Sequence, residues 1–349
     1  MDCTSPIVSI IVPCRNEKDH IEACVRSILA QDLPPDEFEV LVADGMSDDG
    51  TRKILERLAQ EDSRVRVIDN PNRITPCAMN VGVRAARGRY IAIMGAHNYY
   101  APDYLRQSVQ VLEQTGADNV GGAMMCEATS WLQRAIAAAH HSAFAVGGAR
   151  WHDPTYEGPA DTVFGGVYRR EVFARIGLFD EELVRNQDDE FNLRLIRAGG
   201  KIWQSPRIRS CYRPRHSLGS LFRQYLQYGY WKVRVIQKHT LPASARHLVP
   251  GGFVLSLLLL PLVSLWFPLA AWGWLGLVGI YSCSNVAVAL LTAARCGWTL
   301  FPILPLVFAC YHFAYGYGFL RGVWDFVVLR RGPNPSYTKL NRIATDRLS

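Results

Sequence analysis

The sequence predicts an α/β domain, a mostly parallel sheet with helices on both faces, followed by C-terminal transmembrane helices. Three observations carry that prediction. Short β-branched runs alternate with helix-period segments through the first hundred residues. Between residues 248 and 320 the one formally charged side chain is Arg295. Residues 201–247, just before, hold ten Lys or Arg and no Asp or Glu. A long apolar stretch behind a purely basic collar reads as a membrane anchor with its basic side in the cytoplasm.

A chain of 349 residues accommodates one α/β domain and a membrane portion. Its net charge of +7 suits either nucleic acid or anionic lipid. The apolar block beside the charge favours membrane lipids, and no zinc-knuckle or RNP-type signature supports nucleic acid. Nine cysteines without a CxxC pair argue against a disulfide framework or zinc site and fit a reducing compartment. Asp2 stands where a signal peptide would be basic, and residues 8–12 read better as a strand.

Residues 7–12 are apolar and β-branched, a buried strand closed by Pro13-Cys-Arg-Asn16. Residues 17–30 space Ile21, Cys24, Val25, Ile28 and Leu29 as a helix. Residues 38–42 form a second strand, ending at Ala43-Asp44-Gly45, and a helix follows with Ile54, Leu55 and Leu58. Residues 65–68 are a third strand, 76–86 a helix, and 90–94 a fourth strand ending at Gly95-Ala-His-Asn98. Ligands bind at the carboxyl ends of such strands, so Arg15-Asn-Glu17, Asp44 and His97 are expected in one cleft. Further on, residues 132–145 read as a helix, 162–168 as a strand and 188–198 as a helix. Residues 217–238 interleave aromatic and basic side chains, as an amphipathic helix in a membrane interface does, or as a solvated helix packed on the catalytic domain. Apolar segments at 248–267, 269–292 and 300–320 approach the ~20 residues that span a bilayer. Three crossings would place the basic tail (Arg330, Arg331, Lys339, Arg342) outside, against the positive-inside rule, so two or three spans are expected. His140-His141 cannot both face one ion from a helix and read as surface or helix-end residues.

Val8-Ser-Ile-Ile-Val-Pro-Cys-Arg-Asn-Glu17 and Val42-Ala-Asp-Gly-Met-Ser-Asp-Asp-Gly-Thr51 resemble the opening of the inverting family 2 glycosyltransferases, with their GT-A nucleotide-diphospho-sugar transferase fold. The likeness continues in order through Ala78-Met-Asn-Val-Gly82, Ala86-Arg-Gly-Arg-Tyr-Ile91, Gly177-Leu-Phe-Asp-Glu181, Asn186-Gln-Asp-Asp-Glu-Phe-Asn192 and Arg223-Gln-Tyr-Leu-Gln-Tyr-Gly-Tyr-Trp231. Within the family it is most similar to membrane-bound bacterial exopolysaccharide enzymes of the succinoglycan glucosyltransferase type. The resemblance implies a catalytic domain over 1–215, a basic interface segment over 216–247, membrane helices over 248–322 and a basic cytoplasmic tail over 323–349.

The resemblance also implies roles. Asp44 matches the position that holds the uracil of a UDP-sugar; a carboxylate there can accept the imide N–H, or serve simply as a turn or helix-start Asp. Pro13, Arg15 and Glu17 line the same nucleotide pocket. Gly95-Ala-His97 aligns with the family's Asp-x-Asp motif, with Gly95 lacking the first carboxylate and His97 a candidate ligand for a divalent cation, Mn²⁺ ahead of Mg²⁺. Three readings follow: a metal held by His97 and phosphates, a metal-independent enzyme, or a lost activity. Asp188 matches the general base, with an acidic helix start as the alternative. Gln227-Tyr-Gly-Tyr-Trp231 resembles an acceptor motif whose Trp stacks on sugar, although Tyr230 replaces its Arg and an interface-anchoring Trp fits as well; Asp161 falls on an acceptor-side strand. The expected function is transfer of a hexose from a UDP-sugar to a polyprenyl-diphosphate-linked glycan, by a multi-pass protein of the inner membrane with a cytoplasmic catalytic domain. The alternatives are a polyprenyl-phosphate glycosyltransferase and a catalytically silent nucleotide-sugar-binding member.

Overall fold

The computed structural model describes residues 6–96, 98–148, 150–240 and 244–338. The chain divides into two units, one containing the residues up to Glu127 and Arg150–Arg213, the other Ala128–Ala149 and the chain from Pro214. Residues 128–149, expected in the catalytic domain, therefore belong to the second unit.

In chain order the strands are β1 (Val8–Cys14), β2 (Phe38–Asp44), β3 (Val65–Asp69), β4 (Tyr90–Ile93), β5 (Tyr99–Tyr100), β6 (Asn119–Gly122), β7 (Met124–Cys126), β8 (Gly158–Pro159), β9 (Phe164–Arg169), β10 (Ile202–Gln204) and β11 (Ser210–Tyr212). The helices are α1 (Ile21–Leu29), α2 (Thr51–Glu61), α3 (Thr75–Ala85), α4 (Tyr104–Thr115), α5 (Trp131–His140), α6 (Ala143–Val146), α7 (Glu171–Ile176), α8 (Gln187–Arg197), α9 (Leu218–His239), α10 (Val249–Val263), α11 (Leu269–Cys296) and α12 (Leu304–Gly322).

The first unit is a sheet in the order β3-β2-β1-β4-β9-β6-β10-β8, with a small second sheet β5-β11-β7. β3, β2, β1 and β4 pair in parallel, and β9 runs antiparallel between β4 and β6. Alternation along the strands feeds two cores. Val8, Ile10, Val12, Phe38, Val40 and Val42 pack against α1, α2 and α4. Ile11 and Leu41 face α3, α7 and α8 across an aromatic cluster of Tyr168, Phe173, Phe179 and Phe191. Strands covered on both faces are what a near-continuous apolar run requires. β1 and β2 each extend two residues beyond the expected ends, so Pro13 and Asp44 are strand residues. Proline is tolerated there because β4 pairs with β1 only as far as Ile11–Ile93, leaving one side of the strand end unpaired.

Ser9 of β1 and Glu39 of β2 are polar yet buried, and the two meet. Ser9 pairs with Glu39 in register and donates its hydroxyl to Glu39 Oε1 at 2.7 Å. Glu39 also accepts the Arg87 backbone N–H at 2.8 Å and ion pairs with Arg66 and Arg87. Burial pushes its carboxyl up, but the bonds from Ser9 and Arg87 outweigh it and hold it below the usual carboxylate range.

The second unit is helical. The helix expected over 132–145 is interrupted: α5 ends at His140, and Ser142 accepts the Phe144 N–H to start α6. His140 and His141, expected as surface or helix-end residues, do end α5, but His140 is only 6% exposed; burial, then the charge of His141, pushes its imidazole down to about 3. α9 and α12 cross on glycines. A Cβ at Gly229 would lie 2.1 Å from the Tyr315 carbonyl oxygen, and one at Gly318 2.0 Å from that of Leu226. Such small residues let helix backbones touch. The apolar face of α9, expected to lie in the membrane interface, is thus covered by protein. α12, the third of the expected two or three spans, is largely buried within the second unit through Leu304, Val307, Phe308, Tyr311 and Ala314. Outward-facing apolar side chains are concentrated on α10, α11 and the turn between them, where Leu258 is 57% and Trp266 and Trp272 are each 73% exposed. Two helices, Ala245–Val263 and Leu269–Cys296, are long and apolar enough to cross a membrane.

Two stability outcomes follow. Glu39→Gln leaves Arg66 and Arg87 without a charged partner and should lower unfolding stability by about 1–3 kcal/mol in urea titrations. The carboxylate's contribution is complete above the unfolded Glu pKa of about 4.3 and is lost as pH falls through its lower folded value, so the difference between wild type and variant should shrink in acid. Gly318→Ala forces a Cβ onto a backbone carbonyl and should lower the melting temperature in detergent, with an overpacking penalty of about 1–3 kcal/mol or more. Gly252→Ala, where the added Cβ meets nothing within 4 Å, should not.

Candidate active site

Strand register places the polar residues along one edge of the first unit's sheet. Cys14 pairs with Asp44, and Asp44 with Asp69, so the ends of β1, β2 and β3 lie side by side. Ile11 pairs with Ile93, which puts Gly95 just beyond the same edge. β9 arrives from the opposite direction: Ala92 pairs with Val167 and Gly122 with Phe164, so Asp161 precedes β9 at the edge where β4 and β6 end.

The first two loops are stitched together. Asn16, in the left-handed region at φ 55°, donates its backbone N–H to Ser47 Oγ at 2.9 Å and exchanges side-chain and backbone bonds with Asp48. Glu17 donates its N–H to Thr51 Oγ1 at 2.9 Å. Asp49 accepts from Thr51 and from the Lys18 N–H; burial opposes ionisation, but these bonds hold its carboxyl below the usual range. Asp44 is 1% exposed and accepts the Ser47 hydroxyl at 2.5 Å and its N–H at 3.3 Å. Arg52 spans Asp44 (3.5 Å) and Asp69 (2.5 Å). Asp44 thus closes a turn as an Asp at a strand end does, with lone pairs to spare. The Arg15 stem crosses Gly45, where a Cβ would sit 3.1 Å from that of Arg15, and Arg15 Nε is buried without a hydrogen-bond partner. Cys14 is no nucleophile: burial first, then the charges of Glu17 and Asp44, push its thiol well up.

Asp188 lies in the first turn of α8, follows Asn186 in the left-handed region, and is exposed. Of the three adjacent acidic residues, Glu190 turns inward to Arg194, whose guanidinium also binds the carbonyls of Ile176 and Leu178. Asn192, one turn after Asp188 on the same helix face, accepts from Asn119 at 3.0 Å and donates to Thr162 at 2.8 Å. This clamp ties the start of α8 to β6 and to the segment before β9, beside Asp161.

Pro13, Arg15, Glu17, Asp44, Gly95, Asp161 and Asp188 therefore belong to one edge of the first unit. His97 lies outside the described residues. Gln227 and Trp231 belong to the second unit, and their packing corrects the expected acceptor platform. Trp231 is 0% exposed; its indole N–H donates to the Tyr337 carbonyl at 3.0 Å. Tyr230 stacks on Tyr337 at 4.2 Å and donates to the buried Asp325, which also pairs with Arg331. Gln227 is buried as well. The motif anchors residues 325–337, because a helix packed on glycines leaves its aromatic face no solvent to meet. Residues missed in the sequence are Ser47, Arg52, Asn98 and Asn192. Ser47 and Asn192 carried a signal, three residues after Asp44 and one turn after Asp188. Among the described residues no three His, Cys, Asp or Glu side chains converge as a metal cage.

The family model described as "Glycosyl transferase family 2" matches residues 9–177. The chain is 32% identical over 329 residues to the succinoglycan biosynthesis protein ExoA of Rhizobium meliloti (strain 1021), covering 93% of this chain and 97% of that one. It is 27% identical over 324 residues to the dolichyl N-acetyl-α-D-glucosaminyl phosphate 3-β-D-2,3-diacetamido-2,3-dideoxy-β-D-glucuronosyltransferase of Methanococcus voltae, covering 90% and 97%. Among solved structures, the mannosyltransferase PcManGT of Pyrobaculum calidifontis, in complex with GDP-Man and Mn²⁺, shares the fold with a TM-score of 0.58 at 19% identity, covering 92% of this chain and 88% of that one.

Asn192→Ala should strip Asn119 and Thr162 of a buried partner and cost about 1–3 kcal/mol in chemical denaturation. A change under about 0.5 kcal/mol, the level of an ordinary surface substitution, would show that the clamp does not hold α8.

Proposed function

The chain belongs to glycosyl transferase family 2, and we propose that it is an inverting enzyme of polysaccharide biosynthesis, moving a hexose from a UDP-sugar to a hydroxyl of a polyprenyl-diphosphate-linked glycan at the cytoplasmic face of the inner membrane. It is a glycosyltransferase with a GT-A fold carrying two membrane-length apolar helices; donor, acceptor, stereochemistry and topology are the proposal. The observation that carries it is the exposed Asp188, held by the Asn192 clamp at the sheet edge that bears Arg15 and Asp44. The names of the relatives support the acceptor class: one belongs to succinoglycan biosynthesis, the other is named for a dolichyl-linked sugar phosphate.

In this reading Asp44 accepts the imide N–H of the uracil, and Arg15 turns its unpartnered Nε–H to a diphosphate oxygen. Pro13 and Glu17 wall the nucleotide, and Asp161 faces the acceptor. Asp188 takes the proton from the acceptor hydroxyl as its oxygen attacks the anomeric carbon. The new C–O bond forms on the face opposite the one that breaks, UDP departs with the bonding pair, and the configuration inverts. A divalent cation would come with the diphosphate rather than sit in a closed protein cage, with His97 as its candidate protein ligand and Mn²⁺ preferred for an imidazole. Such an ion would offset charge on the leaving nucleotide. Two crossings return the chain to its starting side, which keeps Arg330 and Arg331 in the cytoplasm. Tethering at the bilayer makes the encounter with a lipid-linked acceptor a near-surface search.

The test is turnover of UDP-, GDP- and dTDP-sugars by the full chain in nanodiscs, with lipid-linked glycans or undecaprenyl phosphate as acceptor, with and without Mn²⁺. Asp188→Asn should lower kcat by at least about 10²-fold, the low end of general-base contributions, while leaving nucleotide affinity within a few fold. Transfer to undecaprenyl phosphate alone would replace the proposed acceptor. Nucleotide binding with no transfer to any acceptor would mark a silent member of the family.

A further inference from the structure

Gly95 occupies the aligned position of the missing carboxylate, and the space its side chain would fill is already taken. A Cβ built on Gly95 would lie 2.6 Å from Asn98 Nδ2, 3.3 Å from its Cγ and 3.8 Å from its Oδ1. The amide of Asn98 thus sits where a carboxylate on residue 95 would sit, and a side chain at 95 would have to push it out. Its surroundings hold it there. The Asn98 backbone N–H donates to the Gly95 carbonyl at 3.2 Å. The Gly95 N–H donates to the Tyr100 hydroxyl at 2.7 Å, and Asn98 Nδ2 to the same hydroxyl at 3.4 Å. Tyr100 is fixed in turn by an edge contact with Tyr104, ring centroids 4.9 Å apart.

Asn98 is only 7% exposed, yet its Oδ1 has no hydrogen-bond partner. Exchanging the two ends of the amide would give Oδ1 the Tyr100 proton and strand Nδ2 instead, so one polar end is open in either orientation. A buried polar atom left open just past the carboxyl edge of such a sheet, where ligands bind, calls for a ligand.

We infer that Asn98 is a donor-binding residue whose neutral amide takes the place of the carboxylate absent at Gly95 and bonds the nucleoside diphosphate itself rather than a cation. This rests on the glycosyltransferase reading above. The amide supplies one acceptor and two donors but no charge. It therefore serves a ribose hydroxyl or a phosphate oxygen as well as a carboxylate serves a hydroxyl, and holds a divalent ion less well than a carboxylate would.

The experiment is isothermal titration of UDP and GDP into the full chain in nanodiscs, once in EDTA and once in MnCl₂, for wild type, Asn98→Ala, Gly95→Asp and the double variant, with melting temperature as the check on folding. Wild-type binding of either nucleotide upholds the parent reading independently of the variants. Asn98→Ala should then weaken binding at least tenfold in EDTA. Gly95→Asp alone should also weaken it, because Asn98 blocks the new side chain. The double variant should recover to within about threefold of wild type and depend more strongly on Mn²⁺. Unchanged affinity in a folded Asn98→Ala protein, a loss confined to MnCl₂, or no recovery in a folded double variant would each overturn the inference. A wild-type chain that binds neither nucleotide would remove both it and the parent reading.

Discussion

A hydroxyl and a carboxylate buried in the middle of an apolar sheet tolerate no slip of register. Ser9 and Glu39 are directly paired on β1 and β2, and moving either strand by one residue would separate them, leaving a buried carboxylate short of a donor. The Arg87 N–H on the same carboxylate extends the constraint to the turn leading into β4. With three strands pinned at their amino ends, their carboxyl ends come out level. That is why Cys14, Asp44 and Asp69 form a row and Gly95 follows just beyond it. The site is far in sequence from the residues that fix it, yet depends on them for its geometry.

Within that row, charge is handled by short bonds rather than by solvent. Arg52 bridges two strand-end carboxylates, Ser47 turns back on Asp44, and Asp49 is held by Thr51 and Lys18. The loops are therefore ordered before any ligand arrives, which reduces the ordering a donor would have to impose. On the far side of the site the Asn192 clamp plays the same part for α8. Among the described residues whose buried polar atoms are left open are two outside these bonds, Arg15 at its Nε and Asn98 at its amide. Both lie at the carboxyl edge, where an α/β sheet takes its ligands.

The second unit obeys a different rule. Here backbone contact through Gly229, Gly318 and Gly322 brings α9 against α12, and the aromatic residues of α9 are consumed in anchoring the chain that follows α12. A helix used in this way cannot also lie open on a bilayer. The exposed apolar side chains are instead those of α10 and α11, Leu258 and Trp272 among them.

The first four strands, the helices between them, the cluster of Arg15, Asp44 and Gly95 at one edge, and the apolar hairpin were legible in the sequence. Each rests on local periodicity or on an ordered set of motifs, and both are one-dimensional signals. Short pieces such as β6 and β10 carried too few residues for a period, and β9 gave no sign that it runs antiparallel. Trp231, expected on an acceptor sugar, packs inside protein for a physical reason. Hydrophobicity says that a side chain avoids water, but not whether lipid, sugar or protein replaces it. Only packing decides that, and here glycine contacts spread over a hundred residues decided it in favour of protein. Asn98 shows the same limit at the scale of one residue: an amide three positions from a glycine has no meaning in sequence until the turn after β4 folds one into the space of the other.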